Sequence, residues 1–393
     1  MTLVFWLSLA FIGYVYVGYP LWLMTWNHVR QRHRVTSVAD DGSRQRDFEL
    51  PTVSIIVAAR NEAQRLVARV DNLLALDFPS DRRQIIVVLD GATDGSQEIL
   101  QRYGSAVEVV CVPPSGKAAA LNAGAAAARH DILVFADARQ RFAEDALREL
   151  LVPFEDPMIG GVTGELLLDA EAALFSNRRR RTDRRTARRG TSERRQLLTS
   201  TIGDGVGLYW RYEKALRRME STLGSTLGAT GAIYAIRRTS WTDLPPDTLL
   251  DDVLVPIRVV LNGFRVVFTD RARAFDRAAD DAAAEARRKI RTLAGNVQLL
   301  RLEPQLLLPW RNPVWLQFVS HKLGRLLVPY ALVALFASSL ALVQRPLYAV
   351  FVAAQLAFYL LAGYGAWLEA AARAQKSASS VSAGTVPVRE VAS

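Results

Sequence analysis

Thr52–Ala59 reads TVSIIVAA, and Asn61–Leu76, directly after the single arginine that follows, reads NEAQRLVARVDNLLAL. The first run is short, β-branched and uncharged, as a buried strand is; the second carries a helical pattern of apolar and polar residues. The pairing recurs. QIIVVLD (84–90) precedes DGSQEILQRYG (94–104), VEVVCV (107–112) precedes GKAAALNAGAAAARH (116–130), and DILVFAD (131–137) follows. Strands alternating with helices in this way predict an α/β fold, a mostly parallel sheet covered by helices. Ligands of such sheets gather at the carboxyl ends of the strands, and that is where the polar clusters of this chain fall.

The chain has 393 residues and a net charge of +10. Much of that excess is local, because Arg178–Arg195, RRRRTDRRTARRGTSERR, sets ten arginines against Asp183 and Glu193 alone. Such an insertion, taken as residues 177–200, reads as a solvated loop or as a contact for anionic membrane lipids. Aromatic residues are nearly absent from it, which argues against nucleic acid as a partner. Cys111 is the only cysteine and the four histidines are scattered, so an intrachain disulfide and a cysteine-based zinc site are both excluded.

Leu3–Trp26 carries no charge and is long enough to cross a hydrocarbon core, which takes roughly 20 helical residues. It has no basic region ahead of it and no cleavage site, and so reads as an anchor, residues 1–28. Leu326–Val343 and Leu347–Leu368, parted by Gln344-Arg345-Pro346, read as a hairpin of two further spans, residues 326–368. The basic run NHVRQRHR after the first span puts that flank in the cytoplasm by the positive-inside rule. The middle of the chain then faces the cytoplasm at the inner membrane. Residues 296–325 mix leucines, Trp310, Trp315 and Phe318 with basic residues and prolines, as short interfacial segments do. Residues 369–393 read as a flexible tail.

Taken one by one, the strand-end clusters are ambiguous. VAARNE presents Arg60, Asn61 and Glu62, of which Asn61 is also a natural helix cap. VVLDGATDGS presents Asp90 and Gly91, with Asp94 placed to cap the next helix. PPSGKAAALNAG offers Lys117 to a phosphate, but lacks the earlier glycine and the Ser/Thr after lysine of a nucleotide-triphosphate loop, which disfavours a hydrolase. FADARQ presents Asp137. LLDDVLVPIRV opens a helix with Asp251 and Asp252, which the helix dipole alone would justify. EARRKIRTLAG carries Arg287, Arg288, Lys289 and Arg291.

Taken in order, SIIVAARNE, VVLDGATDGS, GKAAALNAG, VFADAR, GATGAIYAIRR, LDDVLVPIRV and RRKIRT resemble the membrane-bound family 2 glycosyltransferases, the group of the cellulose, chitin, hyaluronan and poly-N-acetylglucosamine synthases. The resemblance runs from about Pro51 to Gly295. It implies a GT-A fold at residues 51–295 on the cytoplasmic face and an inverting transfer from a nucleotide-activated sugar, usually a UDP-sugar, to a glycan or lipid-linked acceptor. By position, Asp252 resembles the catalytic base. Arg60, Glu62, Asp90 and Gly91, with Lys117 close by, resemble the donor-binding set. Asp137 resembles the first carboxylate of the DxD motif, which implies Mg²⁺ or Mn²⁺ at the diphosphate. Gly231, Asp251, Arg288 and Arg291 fall in the diphosphate and acceptor region.

Two departures stand out. Arg139 replaces the second carboxylate of DxD, and in RRKIRT Arg288 and Thr292 replace the glutamine and tryptophan of the polymer synthases' QxxRW. Three spans are few for a polymer channel, so a partner subunit or a homo-oligomer enters the expectation. The competing reading is a relic GT-A domain on a membrane protein that uses its arginines to hold lipid or nucleic acid.

Overall fold

The computed structural model describes residues 1–35, 50–168, 201–276 and 282–383. The arginine-rich insertion lies outside the described residues. The chain divides into two compact units, Met1–Gly18 with Leu327–Ser393, and Tyr19–Leu326.

In chain order the elements used below are α1 (Thr2–Gly13), α2 (Tyr19–Val35), β1 (Val53–Ala59), α3 (Ala63–Leu74), β2 (Arg83–Asp90), α4 (Ser96–Gln101), β3 (Glu108–Val112), α5 (Lys117–Ala127), β4 (Ile132–Asp137), β5 (Arg141–Phe142), α6 (Ala146–Leu151), β6 (Ile159–Leu168), α7 (Thr201–Leu223), β7 (Ile233–Arg237), α8 (Asp251–Leu261), β8 (Arg265–Asp276) and α9 (Ala282–Leu302). The apolar helices α10 (Trp315–Ala341) and α11 (Pro346–Ala383) close the described chain.

The eight strands form one sheet in the order β3-β2-β1-β4-β7-β6-β8-β5. The first four are parallel, as the strand–helix alternation demands. From β4 onward the sheet is mixed: β7 runs antiparallel to β4 and β6, β6 and β8 run parallel, and β5 is antiparallel to β8. Strand β1 shows why an unbroken apolar run is needed. Its alternate residues Val53, Ile55, Val57 and Ala59 enter the core on one face, while Ile56 enters the core on the other. Each such buried Val or Ile stabilises the fold by roughly 1.5–3 kcal/mol. Ser54, on the same strand, is satisfied by donating to Gln84 Oε1 at 2.7 Å.

The register places Ala58 beside Asp137 and Ala59 beside Leu89, so β1, β2 and β4 end at one rim, with Asp90 and Asp137 on either side of β1. Two glycines shape the loops there. Gly91 has φ of +56°, and a Cβ on it would lie 2.7 Å from Pro114; Gly116, φ +89°, precedes the first turn of α5. The cap expected from Asn61 comes from elsewhere. Asn61 accepts from Thr93 N at 2.9 Å, whereas Asp94 accepts from Ala63 N at 2.8 Å and Ser96 N at 3.2 Å. One carboxylate thus serves the first turns of both α3 and α4.

Among the described residues, three helices are long and apolar enough to cross a membrane: Thr2–Val29, Trp315–Ala341 and Pro346–Leu368. Helical structure begins at Trp315, eleven residues before the start at Leu326 that composition suggests. In the terminal unit, Phe5 packs edge-on against Tyr348 and Phe351, with Leu335 beside them. Helix α11 runs on to Ala383, into the stretch read as a flexible tail, because EAAARAQK is rich in strong helix formers. Residues 384–393 of that tail lie outside the described residues.

Candidate active site

At the rim of the parallel strands, three segments bring charge together. Lys117, the first residue of α5, places its Nζ 3.2 Å from Asp137 Oδ1 at the end of β4 and 3.1 Å from Asp251 Oδ2 at the start of α8. Burial would lower the ammonium's pKa, but Asp251 and Asp137 together raise it above the ordinary lysine value, so it stays charged. Asp251 is buried in this pair.

Asp252 follows Asp251 on the first turn of α8, about 100° further round the helix at 3.6 residues per turn. Among the described residues its carboxylate makes no hydrogen bond or ion pair. Gly231 gives it room, since a Cβ there would sit 3.0 Å from Asp252 Oδ2. The loop that carries Gly231 is fixed by backbone bonds: Ala229 N donates to Asp252 O at 2.7 Å and Thr230 N to the buried Thr163 Oγ1 at 2.8 Å. Burial first, and then the charge of Asp251, pushes the Asp252 carboxyl above the usual carboxylate range, with Lys117 and Lys322 partly opposing. A half-buried carboxylate with free lone pairs and a raised pKa is suited to take a proton.

On the other side of β1, Asp90 Oδ1 accepts from Ser115 N at 2.7 Å and Gly116 N at 3.1 Å, and Arg60 Nη1 lies 3.8 Å from Oδ2. Asp90 therefore ties the β2 end to the loop ahead of Lys117. Glu62 is paired with Arg65 at 2.6 Å along α3. Arg139 turns to Asp276 at the end of β8, 3.3 Å away, beside Gln140, whose amide donates to the same oxygen at 2.9 Å. It brings no second cation to Asp137.

Arg288 and Arg291 are exposed on α9, at helical spacing from the buried Gly295. A Cβ on Gly295 would lie 2.4 Å from Leu250, the residue before Asp251, and Gln298 clasps Leu249 N at 2.9 Å and Asp247 O at 2.7 Å. The arginines thus stand on a helix packed against the Asp251 turn.

Residues that sequence reasoning passes over support this cluster. Arg69, buried on α3, donates to Gln140 O at 2.9 Å and lies 4.2 Å over the Phe142 ring, fixing the loop that follows Asp137. Burial lowers its pKa to about 9, against the pull of Asp137. A charged residue next to the apolar stripe Leu66, Val70, Leu73 was the available signal. Tyr234 on β7 stacks on Phe135, two residues before Asp137, and its hydroxyl is buried without a partner among the described residues. Burial, then the charges of Asp251, Asp252 and Asp137, holds that phenol well above its ordinary pKa.

Among the described residues, no three His, Cys, Asp or Glu side chains form a metal cage. The donor set suits an ion that arrives with a diphosphate: Asp137 keeps 30% of its side chain exposed, and magnesium is often held by one or two carboxylates plus substrate oxygens.

The fold is that of the GT-A glycosyltransferases. Over 93% of this chain and 94% of the other, it superposes on mannosyltransferase PcManGT from Pyrobaculum calidifontis, solved in complex with GDP-Man and Mn²⁺, with a TM-score of 0.62 at 21% identity. Residues 54–218 match the model of glycosyl transferase family 2. It is 31% identical over 134 residues to a β-monoglucosyldiacylglycerol synthase of Synechocystis, covering 33% of this chain and 28% of that protein. It is 29% identical over 137 residues to the probable glycosyltransferase YdaM of Bacillus subtilis, covering 33% of each. The matched stretch thus spans about a third or less of these relatives' length. The family match ends before Gly231, Asp251, Asp252, Arg288 and Arg291.

Proposed function

We propose that the protein is an inverting glycosyltransferase that moves a sugar from a nucleotide-sugar, a UDP-sugar by the family resemblance, to a glycan or lipid-linked acceptor. The observation that carries the reading is Asp252, a carboxylate without an ion pair among the described residues, beside the Lys117–Asp137–Asp251 cluster at the carboxyl rim of the parallel strands. Asp252 takes the proton of the acceptor hydroxyl as its oxygen attacks the anomeric carbon. The nucleoside diphosphate leaves on the opposite face.

Lys117 is placed to offset charge on that diphosphate, and Arg60 with Asp90 to hold the nucleoside. A divalent ion, Mg²⁺ or Mn²⁺, held by Asp137 would supply further charge neutralisation at the diphosphate. Three apolar helices and the lipid product in the name of the Synechocystis relative support work at a membrane. The positive-inside reading puts the catalytic unit on the cytoplasmic face of the inner membrane, in cell-envelope or exopolysaccharide synthesis.

The test is UDP release by the purified full chain across a panel of UDP-sugars, with Mg²⁺, Mn²⁺ or EDTA, for wild type and Asp252→Asn. Release with one donor, lost in the variant and on chelation, is expected. Release that persists in Asp252→Asn would remove Asp252 from its role.

A further inference from the structure

The chain leaves β4 at Asp137 and enters β5 at Arg141, so only Ala138, Arg139 and Gln140 lie between. All three are held. Ala138 is buried in the same core as Val57 and Ala59. Arg139 and Gln140 both reach one oxygen of Asp276, Oδ2: the arginine Nε stands 3.3 Å away and the glutamine amide donates at 2.9 Å. Helix α3 grips the turn from another side. Arg69 Nη1 donates to Gln140 O at 2.9 Å, and Asn72 takes Phe142 by both backbone groups, accepting from its N at 2.7 Å and donating to its O at 3.0 Å.

The sheet itself places Asp276. It ends β8 and pairs in register with Leu168 of β6, while its neighbours Phe275 and Ala274 pair with Arg141 and Phe142 of β5. Continued by one residue, that antiparallel register sets Gln140 opposite Asp276. Strands β7 and β6 stand between β4 and β8 in the sheet. The contacts of Asp276, whose side chain is only 14% exposed, nevertheless tie the end of β8 to the turn that follows β4.

Arg139 occupies the place at which the family resemblance expects the second carboxylate of DxD. Two carboxylates would fix an ion between them; one fixes it only as well as its own direction is fixed. For Asp137 that direction depends on the backbone on either side, the pairing with Ala58 of β1 before it and the clasped turn after it. An error of about 1 Å at a reacting centre can cost 10²-fold.

We propose that Asp276 is a positioning residue for the donor: acting through Arg139 and Gln140, it fixes Asp137 to receive the ion that comes with a nucleoside diphosphate. The arginine in the second DxD position then supports the first carboxylate and binds no ligand itself. The inference rests on the transferase reading. Because Asp276 touches neither donor nor ion, its loss falls on metal and donor binding, and turnover at saturating donor stays near the wild-type value.

The test is Mn²⁺ titrated into the full chain in a non-ionic detergent with UDP or GDP present, free ion being read by its paramagnetic resonance. Asp276→Asn should weaken Mn²⁺ binding by about 10- to 100-fold, the range for groups that orient a metal ligand, and raise the donor KM with kcat little changed. Arg139→Gln should do the same, and the double variant should cost no more than either single one, because the two residues act as a unit. Mn²⁺ binding unchanged in a folded Asp276→Asn, even with a lowered unfolding temperature, overturns the proposal and leaves the clasp to stability alone. So do losses that add in the double variant, and so does a wild type that takes up no Mn²⁺ with either nucleotide. Should Asp276→Asn not fold, Arg139→Gln carries the same outcomes. Mn²⁺ lost in Asp137→Asn but kept in Asp276→Asn removes the clasp and leaves the transferase reading; Mn²⁺ weakened in all three variants, with a silent donor panel, does the reverse.

Discussion

Two dense charge clusters sit in the same unit. At the β4 rim, Lys117 pairs with Asp137 and Asp251, while among the described residues Asp252 has no pair and the Tyr234 hydroxyl no partner. Along α7, Glu213, Glu220, His321, Arg325 and Tyr19 pair with one another, with Glu220 Oε2 alone of its two oxygens left buried without a hydrogen bond among the described residues. The second arrangement holds helices in place and offers little to a ligand. The first leaves a proton acceptor unoccupied among fixed charges, at the cost of buried groups without partners. Charge density alone does not mark a candidate site; a carboxylate left without an ion pair at the strand rim does.

The contrast breaks most visibly at Asp252. Asp252→Asn should lower sugar transfer by about 10²–10⁴-fold, the usual worth of a positioned base, with the unfolding temperature little changed. Turnover and thermal unfolding on the same sample check both halves. Lys117→Met should cost roughly 10- to 100-fold in donor turnover, the range for a lost charged hydrogen bond. It should also move the acid limb of the rate profile to higher pH, because Lys117 opposes the upward push on the Asp252 carboxyl. A limb that stays in place would detach the two groups.

In the α7 cluster the effects should fall on stability. His321→Ala leaves the buried Glu220 and the half-buried Glu213 short of a partner and should destabilise by about 3–5 kcal/mol, the range for breaking a buried pair. Although burial alone would raise it, the hydrogen bond and charge of His321 and the charge of Arg325 hold the Glu213 carboxyl down to about 2. A depressed carboxylate contributes stability above its unfolded-state pKa and loses it as pH falls through its folded value. That contribution is therefore present above pH 4.5 and lost toward pH 2. Acid titration of unfolding should lose this component in Glu213→Gln. The smallest effect is expected at Tyr234→Phe, which removes an unmade buried hydrogen bond and should stabilise by about 1 kcal/mol. Destabilisation would show that the hydroxyl has a partner after all.

The parallel half of the sheet was legible because each strand and the helix after it are contiguous in sequence. Asp90, Lys117, Asp137 and the Asp251-Asp252 pair were legible for the same local reason: each stands at a strand end or a helix start. What escaped depends on distant partners. Nothing near Arg139 announces Asp276, and nothing near Asn61 says that Asp94 will serve the following helix. His321, Lys322 and Arg325 made composition start the apolar helix at Leu326. With glutamates of α7 matching His321 and Arg325, it starts at Trp315.

The packing of Gly295 on Leu250 has a mechanical consequence. With no slack between the helix that carries Arg288 and Arg291 and the turn that carries Asp251 and Asp252, a tilt of one displaces the other, as in a gear train. Position 295 is then a throttle remote from the chemistry. The single methyl of Gly295→Ala is a wedge driven between the two, able to detune transfer while leaving every reacting group as it is.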